Sequence, residues 1–310
     1  MSLFQPSAAS FTTLSSTPKI ILITGGSSGI GLATATLLST LNPYHTLVLL
    51  DLQPPPKTFS HAPSHTLFLK CNVTSWPSQR SAFETAHEQF GRIDVVFVNA
   101  GILEYRDQFF ADLLDASGKL AAPDHRTITV DLNAAVDTTK LAIHYMRKNG
   151  KEGGSIVLTA SMAGYLGFTR APLYTAAKHG VVGLVRCLKE EVAKFGIAIS
   201  CVAPGITVTP LLHAVEELGK GGSLEEKGEV IAKAGGAVNR VESVALAVCH
   251  LLDEGMKANG SGILVQQDKF TDIERGLAKS RASWMTQEML DDSRGGRRAD
   301  KINVPPKAKM

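Results

Sequence analysis

Short apolar runs alternate with longer amphipathic stretches along most of the chain. Seven runs are rich in β-branched residues or leucine and lack a polar alternation, which is typical of strands covered on both faces. They are Ile20–Ile23, Thr46–Leu50, Thr66–Leu69, Ile93–Val98, Ser155–Leu158, Ile197–Val202 and Gly262–Val265. The helix-length segments between them are Ile30–Leu41, Ser78–Phe90, His125–Asn149, Leu173–Phe195 and Val241–Asp253. The pattern predicts an α/β fold, a Rossmann-type doubly wound sheet of seven mainly parallel strands with helices on both faces.

The two ends of the chain depart from this pattern. Residues 1–18 are rich in Ser and Thr and carry no charged side chain, so we expect a disordered lead-in rather than a secretory or mitochondrial leader. Residues 19–267 are expected to form a single domain. Residues 268–310 are polar and follow the last predicted strand, which indicates an appendage or a disordered tail. Glycines between about residues 209 and 239 predict a substrate lid that can move.

The distribution of charge argues against a nucleic-acid partner. The net charge is +3, but residues 294–310 hold six basic side chains against one acid, a sum of +5, so the preceding residues sum to −2. No apolar run reaches the roughly 20 residues that a membrane span needs. The four cysteines have no CxxC or zinc spacing, so no metal site is expected. We expect a cytoplasmic protein, although the terminal Ala308-Lys309-Met310 loosely resembles a peroxisomal signal.

A glycine-rich turn, TGGSSGIG, joins the first predicted strand to the first predicted helix. Glycine permits a sharp turn here and lets the backbone approach a pyrophosphate group at the helix N-terminus. Because the turn follows a strand and precedes a helix, a dinucleotide site is favoured over a plain loop. The turn residues assigned to the cofactor are Gly25, Ser27, Ser28, Gly29, Ile30 and Gly31.

Asp51 closes the second predicted strand, twenty residues after Gly31. A carboxylate in this place can accept hydrogen bonds from the adenosine ribose hydroxyls and repels a 2′-phosphate. The turn carries Ser28 and not a basic residue, and Leu52 follows Asp51. The cofactor is therefore expected to be NAD, with NADP less favoured. The strand ends that follow add Asn72, Val73, Asn99, Ala100 and Gly101 to the cofactor site.

Ser161, Tyr174 and Lys178 carry the predicted chemistry. Ser161 follows the fifth predicted strand, and Tyr174 and Lys178 lie four residues apart on the next helix, which places them on one face. A phenol has a pKa near 10, and a neighbouring ammonium favours its phenolate form. Such a tyrosine can take the proton of an alcohol while a hydride leaves the carbon.

Together these motifs resemble the short-chain dehydrogenase/reductase family in its compact single-domain form. The resemblance covers roughly Lys19 to Gln267 and includes Asn133 and Pro204-Gly205 with Thr209. It implies that Tyr174 is the general acid/base and that Lys178 also holds the nicotinamide ribose. It implies three further roles: Ser161 binds the substrate oxygen, Asn133 positions a water next to Lys178, and Pro204, Gly205, Ile206 and Thr209 meet the nicotinamide. Asn72 stands where the family usually has Asp, and the 34-residue gap from Asn99 to Asn133 is longer than usual.

The resemblance also implies partners and a reaction. Family members pair their two long central helices, so we expect a homodimer or homotetramer through residues 125–149 and 173–195. The expected reaction is oxidation of a hydrophobic secondary alcohol, such as a steroid-, terpene- or polyketide-like compound, with NAD. Two alternatives stay open: an NADPH-dependent carbonyl reductase, and a non-redox cyclase, isomerase or dinucleotide sensor on the same fold.

Overall fold

One sheet of eight strands lies at the centre of the protein. The computed structural model describes residues 4–104, 106–214 and 222–296. The strands of this sheet are β1 Ile20–Thr24, β2 Thr46–Asp51, β3 Thr66–Lys70, β4 Val95–Val98, β5 Gly154–Thr159, β6 Ile197–Pro204, β9 Gly262–Gln266 and β10 Lys269–Asp272. Their order is β10-β9-β6-β5-β4-β1-β2-β3, and all neighbours run parallel except β9 and β10. A separate parallel pair consists of β7 Ile206–Thr207 and β8 Val238–Asn239.

Helices cover both faces of the sheet. The α-helices are α1 Thr12–Ser16, α2 Gly29–Leu41, α3 Trp76–Phe90, α4 Arg126–Ile128, α5 Ala134–Met146, α6 Pro172–Ala193, α7 Leu224–Lys233, α8 Val241–Glu254, α9 Ile273–Ser280 and α10 Gln287–Gly296. Short 3₁₀ helices lie at Ala8–Ser10, Pro63–His65, Arg147–Glu152, Met162–Gly164, Pro210–Ala214, Gly255–Ala258 and Arg281–Ser283. Helices α3, α5 and α6 pack on one face of the sheet, and α1, α2 and α8 pack on the other. The predicted doubly wound architecture is confirmed.

The number of strands is larger than the sequence predicted. All seven predicted strands are present, and the eighth, β10, lies in the segment that was expected to be an appendage or tail. A tight turn joins β9 to β10, with Gln267 and Asp268 at φ angles of 51° and 56°. Hairpin turns with two positive φ angles usually contain Asn-Gly or Asp-Gly, so this turn lacked its usual sequence signal. Phe270 of β10 is buried in the core.

The first described residues form part of the domain. Phe11 and Leu14 are 3% and 1% exposed and belong to the apolar core formed with α2 and α8. The Leu14 amide donates a hydrogen bond of 2.7 Å to Asp253 Oδ1, and Phe4 pairs with Phe270 beside β10. The expectation of a disordered lead-in is therefore wrong for residues 4–18. Phe11 and Leu14 lie in a polar stretch of sequence, but they pack against helices α2 and α8, which are distant in the chain.

Two other predicted features need comment. The helix predicted over 125–149 is interrupted: α4 runs into a π-helical turn at Thr129–Asn133, which leads into α5. The basic tail beyond residue 296 lies outside the described residues, and so do the Ala308-Lys309-Met310 signal and part of the lid, residues 215–221. The cellular location stays a prediction. No helix in the part of the chain that the structure describes is long and apolar enough to cross a membrane.

Candidate active site

The glycine turn lies at the carboxyl end of β1, where parallel sheets bind ligands. The Gly25 amide donates a hydrogen bond of 2.8 Å to Leu50 O, and Gly25 and Gly29 have φ angles of 65° and 49°, which favour glycine. A Cβ atom built on Gly31 would overlap the carbonyl oxygen of Gly25. The turn therefore needs glycine at these three positions to bring helix α2 against the strand.

Asp51 is held beside this turn. Its Oδ2 accepts a hydrogen bond of 3.0 Å from the Ser27 amide, and its Oδ1 accepts one of 2.7 Å from the Leu52 amide. The Ser27 hydroxyl is buried and has no hydrogen-bond partner among the described residues, whereas Ser28 is exposed at the surface of the turn. An orphaned hydroxyl beside a glycine cradle fits a phosphate acceptor, and Asp51 fits a ribose. The residues present thus suit a dinucleotide.

Asn99 ties three strands together at the same edge of the sheet. Its Nδ2 donates hydrogen bonds to Thr24 O at 3.1 Å and Gly25 O at 3.3 Å, and its Oδ1 accepts one from Thr159 Oγ1 at 3.1 Å. The amides of Asn99 and Ala100 donate to Thr24 Oγ1. Asn99 thereby joins the carboxyl ends of β1, β4 and β5 beside the glycine turn.

Asn72 and Val73 follow β3 as predicted. Asn72 Oδ1 accepts hydrogen bonds from the backbone amide and the hydroxyl of Thr74, at 3.0 and 2.8 Å. Val73 packs against the core, and its carbonyl accepts a bond of 2.6 Å from Gln79 Nε2. The oxygen of Asn72 is thus engaged in its own turn.

The segment from Pro204 to Thr209 reaches the glycine turn from the other side. The Gly205 amide donates to Val265 O at 2.8 Å, which anchors the segment to β9, and Ile206 is exposed. A Cβ atom on Gly29 would lie 3.4 Å from Thr209 Cβ. The structure therefore places Thr209 next to Gly29. This proximity is what we expect if both residues contact the same cofactor.

Ser161 and Lys178 are brought together by helix α6. Lys178 is 3% exposed, and its Nζ donates a hydrogen bond of 3.0 Å to Thr159 O, two residues before Ser161. The turn Met162–Gly164 packs on α6 so closely that a Cβ on Gly164 would lie 2.8 Å from Lys178 O. Ser161 Oγ accepts a bond of 3.1 Å from the Ala163 amide and contacts Pro204 O at 3.4 Å. The serine is thus positioned by the turn that it begins.

Tyr174 is half-buried, one helical turn before Lys178, and its ring centroid lies 5.4 Å from Lys178 Nζ. Pro172 occupies the first turn of α6, where backbone amides lack helical partners. Glu104 Oε2 accepts a hydrogen bond of 3.0 Å from one of them, the Tyr174 amide, while its Oε1 is buried and has no partner in the described chain. Glu104 thereby fixes the turn of α6 that carries Tyr174.

Asn133 is exposed and Asp131 takes the place next to Lys178. Asp131 is 2% exposed, and its Oδ2 lies 3.0 Å from Lys178 Nζ. Residues two positions apart on a helix do not share a face, so only one of this pair can point to Lys178. The structure therefore brings Asp131, and not the side chain of Asn133, to Lys178, and the role of Asn133 in positioning a water stays a prediction. The signal that could have found Asp131 is an acid between the apolar residues Val130 and Leu132.

The comparisons agree with this geometry. The sequence model of a family described as short chain dehydrogenase matches residues 19–218. The chain belongs to the short-chain dehydrogenase family. It is similar to the short-chain dehydrogenase/reductase prx4 of Penicillium rubens, with 36% identity over 86% of this chain and 80% of that protein. It is also similar to the 15-hydroxyprostaglandin dehydrogenase [NAD(+)] of Mus musculus, with 29% identity over 74% of this chain and 87% of that protein.

A solved structure matches the fold as well. The crystal structure of levodione reductase superimposes with a TM-score of 0.63 and 25% sequence identity, over 80% of this chain and 96% of that one. As a member of the short-chain dehydrogenase family, the protein is an oxidoreductase, and its family binds nicotinamide dinucleotides. The resemblance inferred from the motifs is thereby confirmed.

Apolar side chains are exposed near Ser161 and in the predicted lid. Leu166 and Phe168, which follow Ser161, are 59% and 50% exposed, and Leu211 of the lid is partly exposed. Helix α7, in the predicted lid, packs on the segment from Pro204 to Thr209, since a Cβ on Gly228 would lie 2.9 Å from a Val208 methyl group.

A cavity of about 1070 Å³ opens beside the glycine turn, between α2, α7 and α8. Ser27, Ser28 and Gly29 contribute to its wall, whereas Ser161, Tyr174 and Lys178 do not. The cavity therefore lies next to the glycine turn and not next to Tyr174.

Proposed function

We propose that the protein oxidises a secondary alcohol of a hydrophobic small molecule to a ketone, with NAD as the hydride acceptor. The observation that carries this proposal is the convergence of Tyr174, Lys178 and the Ser161 turn at the edge of the sheet where the glycine turn also lies. Retention of both Tyr174 and Lys178 argues against a non-redox member of the fold.

The chemistry follows from the three side chains. NAD, when bound, would accept the hydride from the carbinol carbon. Tyr174 would take the hydroxyl proton, and the Lys178 ammonium 5.4 Å from its ring centroid favours the phenolate that can do so. The Ser161 hydroxyl would donate a hydrogen bond to the substrate oxygen, where negative charge develops. Reduction of a ketone would use the same groups in reverse.

The preference for NAD rests on Asp51. Both of its carboxylate oxygens accept backbone hydrogen bonds, so the negative charge is fixed next to the Ser27 amide. A 2′-phosphate in the same place would meet a carboxylate, and Ser28 and Leu52 provide no compensating basic group. The name of the mouse relative includes NAD(+), which supports the same choice.

The preference for a hydrophobic substrate rests on exposed apolar side chains beside the catalytic serine. Leu166 and Phe168 lie within seven residues of Ser161 and expose at least half of their surface. Solvent-exposed apolar groups around a polar reaction centre are typical of ligand sites. Steroid-, terpene- and polyketide-like alcohols have the matching shape and polarity.

The expected homodimer or homotetramer is part of the proposal. Val136 on α5 is 41% exposed, and a Cβ atom on Gly183 of α6 would meet no atom within 4 Å. The exposed Val136 on α5 and the unobstructed Gly183 on α6 would allow α5 and α6 of a second copy to pack closely against them. Light scattering on the purified chain measures the state directly.

The proposal is tested by a screen of hydrophobic secondary alcohols and their ketones. Each compound is offered with NAD or NADP, and the absorbance of the reduced nicotinamide is followed. NADH formation from secondary alcohols is the expected result. Consumption of NADPH with ketones alone would favour the carbonyl reductase, and no turnover with any pair would oppose an oxidoreductase role for this site.

A further inference from the structure

Helix α9 is joined to helix α6 by an ion pair. The side chain of Glu274, in the first turn of α9, is only 13% exposed, and its carboxylate accepts hydrogen bonds from Arg186 Nε at 3.0 Å and Arg186 Nη2 at 2.8 Å. Forked bonds of this kind between a guanidinium and a carboxylate fix the geometry of both groups. Arg186 lies on α6, eight residues after Lys178. The ion pair therefore fastens the segment that was expected to be an appendage to the helix that carries Tyr174 and Lys178.

Three other side chains converge on Gly262, at the start of β9. A Cβ atom built on Gly262 would overlap Tyr165 Oη, and it would lie 3.0 Å from Glu274 Cγ and 3.4 Å from Cys201 Sγ. Tyr165 Oη lies 3.6 Å from Cys201 Sγ. The Arg186 guanidinium carbon lies 5.6 Å from the Tyr165 ring centroid. The absence of a side chain at position 262 therefore leaves room for the Tyr165 phenol beside Glu274 and Arg186.

Tyr165 also ends the turn that Ser161 begins. The Gly164 amide donates a hydrogen bond of 2.8 Å to Ser161 O, and the Tyr165 amide donates one of 3.0 Å to Met162 O. Ser161 Oγ accepts its bond of 3.1 Å from the Ala163 amide, inside the same turn. The direction of the Ser161 hydroxyl therefore depends on this turn, and the Tyr165 side chain holds the far end of the turn.

The charges in this cluster attract one another. The hydrogen bonds to Glu274 raise the pKa of Arg186, so the guanidinium keeps its charge. Burial, followed by the neighbouring Cys201 thiol and Glu274 carboxylate, raises the pKa of Tyr165, so the phenol keeps its proton. The cluster thus consists of a carboxylate, a guanidinium and a protonated phenol, and the guanidinium lies within the distance at which a cation attracts an aromatic ring.

We propose that Glu274 is a positioning residue that holds the Tyr165 side chain and thereby the turn that orients the Ser161 hydroxyl. This inference rests on the proposed role of Ser161, whose hydroxyl would donate to the substrate oxygen. Loss of the Glu274 carboxylate releases Arg186 and removes one side of the contact that fixes Tyr165, so the turn opens more often. Helix α9 thus contributes to the reaction from outside the strands and helices that carry the reacting groups.

The first experiment measures how often the turn opens. Hydrogen–deuterium exchange is followed by mass spectrometry in peptides that cover residues 162–168 of the full-length chain, without substrate. Glu274→Gln keeps the shape of the side chain and removes its charge. We expect these amides to exchange at least about tenfold faster in Glu274→Gln, while the amides of β4 exchange as in the unaltered chain. The control is Glu191→Gln, which breaks an exposed ion pair with Lys194 at the end of α6 and should change neither region.

The second experiment measures the reaction with a secondary alcohol that the unaltered chain oxidises. We expect kcat in Glu274→Gln to fall by about tenfold or more, because the bond from Ser161 strengthens as charge develops on the substrate oxygen. KM and the affinity for NADH should change by less than about twofold. A residue that only stabilised the fold would instead lower the amount of NADH-binding protein and leave kcat per binding site unchanged.

Three results would overturn the proposal: unchanged exchange of residues 162–168 in Glu274→Gln, an equal increase of exchange in β4, or an unchanged kcat per NADH-binding site. Tyr165→Phe removes the phenol oxygen from the cluster and keeps the ring, and it is judged by the same three results if Glu274→Gln does not fold. The exchange experiment uses no substrate. A chain that oxidises no alcohol would therefore refute the proposed function, while the exchange experiment would still test whether Glu274 holds the turn.

Discussion

Asp51 Oδ2 accepts a hydrogen bond of 3.0 Å from the backbone amide of Ser27, which joins the end of β2 to the glycine turn. This bond fixes a negative charge where the adenosine ribose of a dinucleotide would lie. The proposed preference for NAD over NADP therefore depends on the Asp51 side chain.

The first prediction concerns this carboxylate. Asp51→Ala should lower the ratio of NAD to NADP activity by about tenfold or more, which corresponds to about 1.4 kcal/mol, because the repulsion of a 2′-phosphate and the ribose hydrogen bonds are lost together. Values of kcat/KM with each cofactor measure the ratio. The matched control is Asp112→Ala, an exposed acid far along the chain. An unchanged ratio in Asp51→Ala would remove the basis for preferring NAD.

The second prediction concerns the close approach at Gly31. Gly31→Ala should weaken NADH binding and lower the unfolding temperature, because the new methyl group overlaps Gly25 O and pushes α2 away from the turn. Gly91→Ala is the control: its φ is 76° but its Cβ would meet nothing within 4 Å. That variant should lose about 1–2 kcal/mol of stability to backbone strain and keep its NADH affinity. Equal behaviour of the two variants would refute the steric argument.

The third prediction concerns the first described segment. Leu14→Ala should reduce the free energy of unfolding by about 2–5 kcal/mol, because it leaves a cavity in the core between α1 and α8. Urea unfolding followed by circular dichroism gives the value. Leu52→Ala, at a position that is 54% exposed, should change stability by less than about 0.5 kcal/mol. A similarly small effect at Leu14 would mean that the segment contributes nothing to the core.

The fourth prediction is a pH dependence that originates at His45. Burial lowers its pKa to about 4, and its Nδ1 accepts a hydrogen bond from the Lys19 amide that protonation would break. The folded pKa lies below the unfolded value of 6.5, so the unfolded chain binds the extra proton between these values. This contribution to stability is complete above about pH 6.5 and is lost as the pH falls towards 4, with an upper bound of about 3 kcal/mol.

His45→Asn keeps an acceptor oxygen for the Lys19 amide but cannot bind a proton. Its unfolding temperature should therefore fall less between pH 6.5 and pH 4.5 than that of the unaltered chain. Replacement of the exposed His125 by Asn is the control and should leave the pH dependence as it was. The same slope in His45→Asn and the unaltered chain would contradict the assignment.

The sequence predicted the features whose signals are local. Unbroken apolar runs identify the parallel strands, the glycine turn identifies the strand-to-helix junction, and the four-residue spacing of Tyr174 and Lys178 places both on one face. The choice between Asp131 and Asn133 depends on how a π-helical turn rotates the chain towards α6. That rotation is a tertiary property, so the resemblance to the family, and not the helix geometry, selected Asn133.

Contacts across long distances in the chain explain the other differences. The burial of Leu14 depends on α8, whose Asp253 accepts its amide hydrogen bond from 239 positions away. Strand β10 exists because its Phe270 completes the same core, although its sequence is short and polar and its turn contains no glycine. Neither the burial of Leu14 nor strand β10 can therefore be recognised from the residues next to it in the sequence.

The most direct test of the central claim is the rate of NADH formation by Tyr174→Phe with a secondary alcohol that the unaltered protein oxidises. In the proposed mechanism the phenol oxygen accepts the proton, so kcat should fall by at least about 100-fold, while NADH binding measured by fluorescence stays the same. A Tyr174→Phe variant that binds NADH normally and retains full activity would contradict the account.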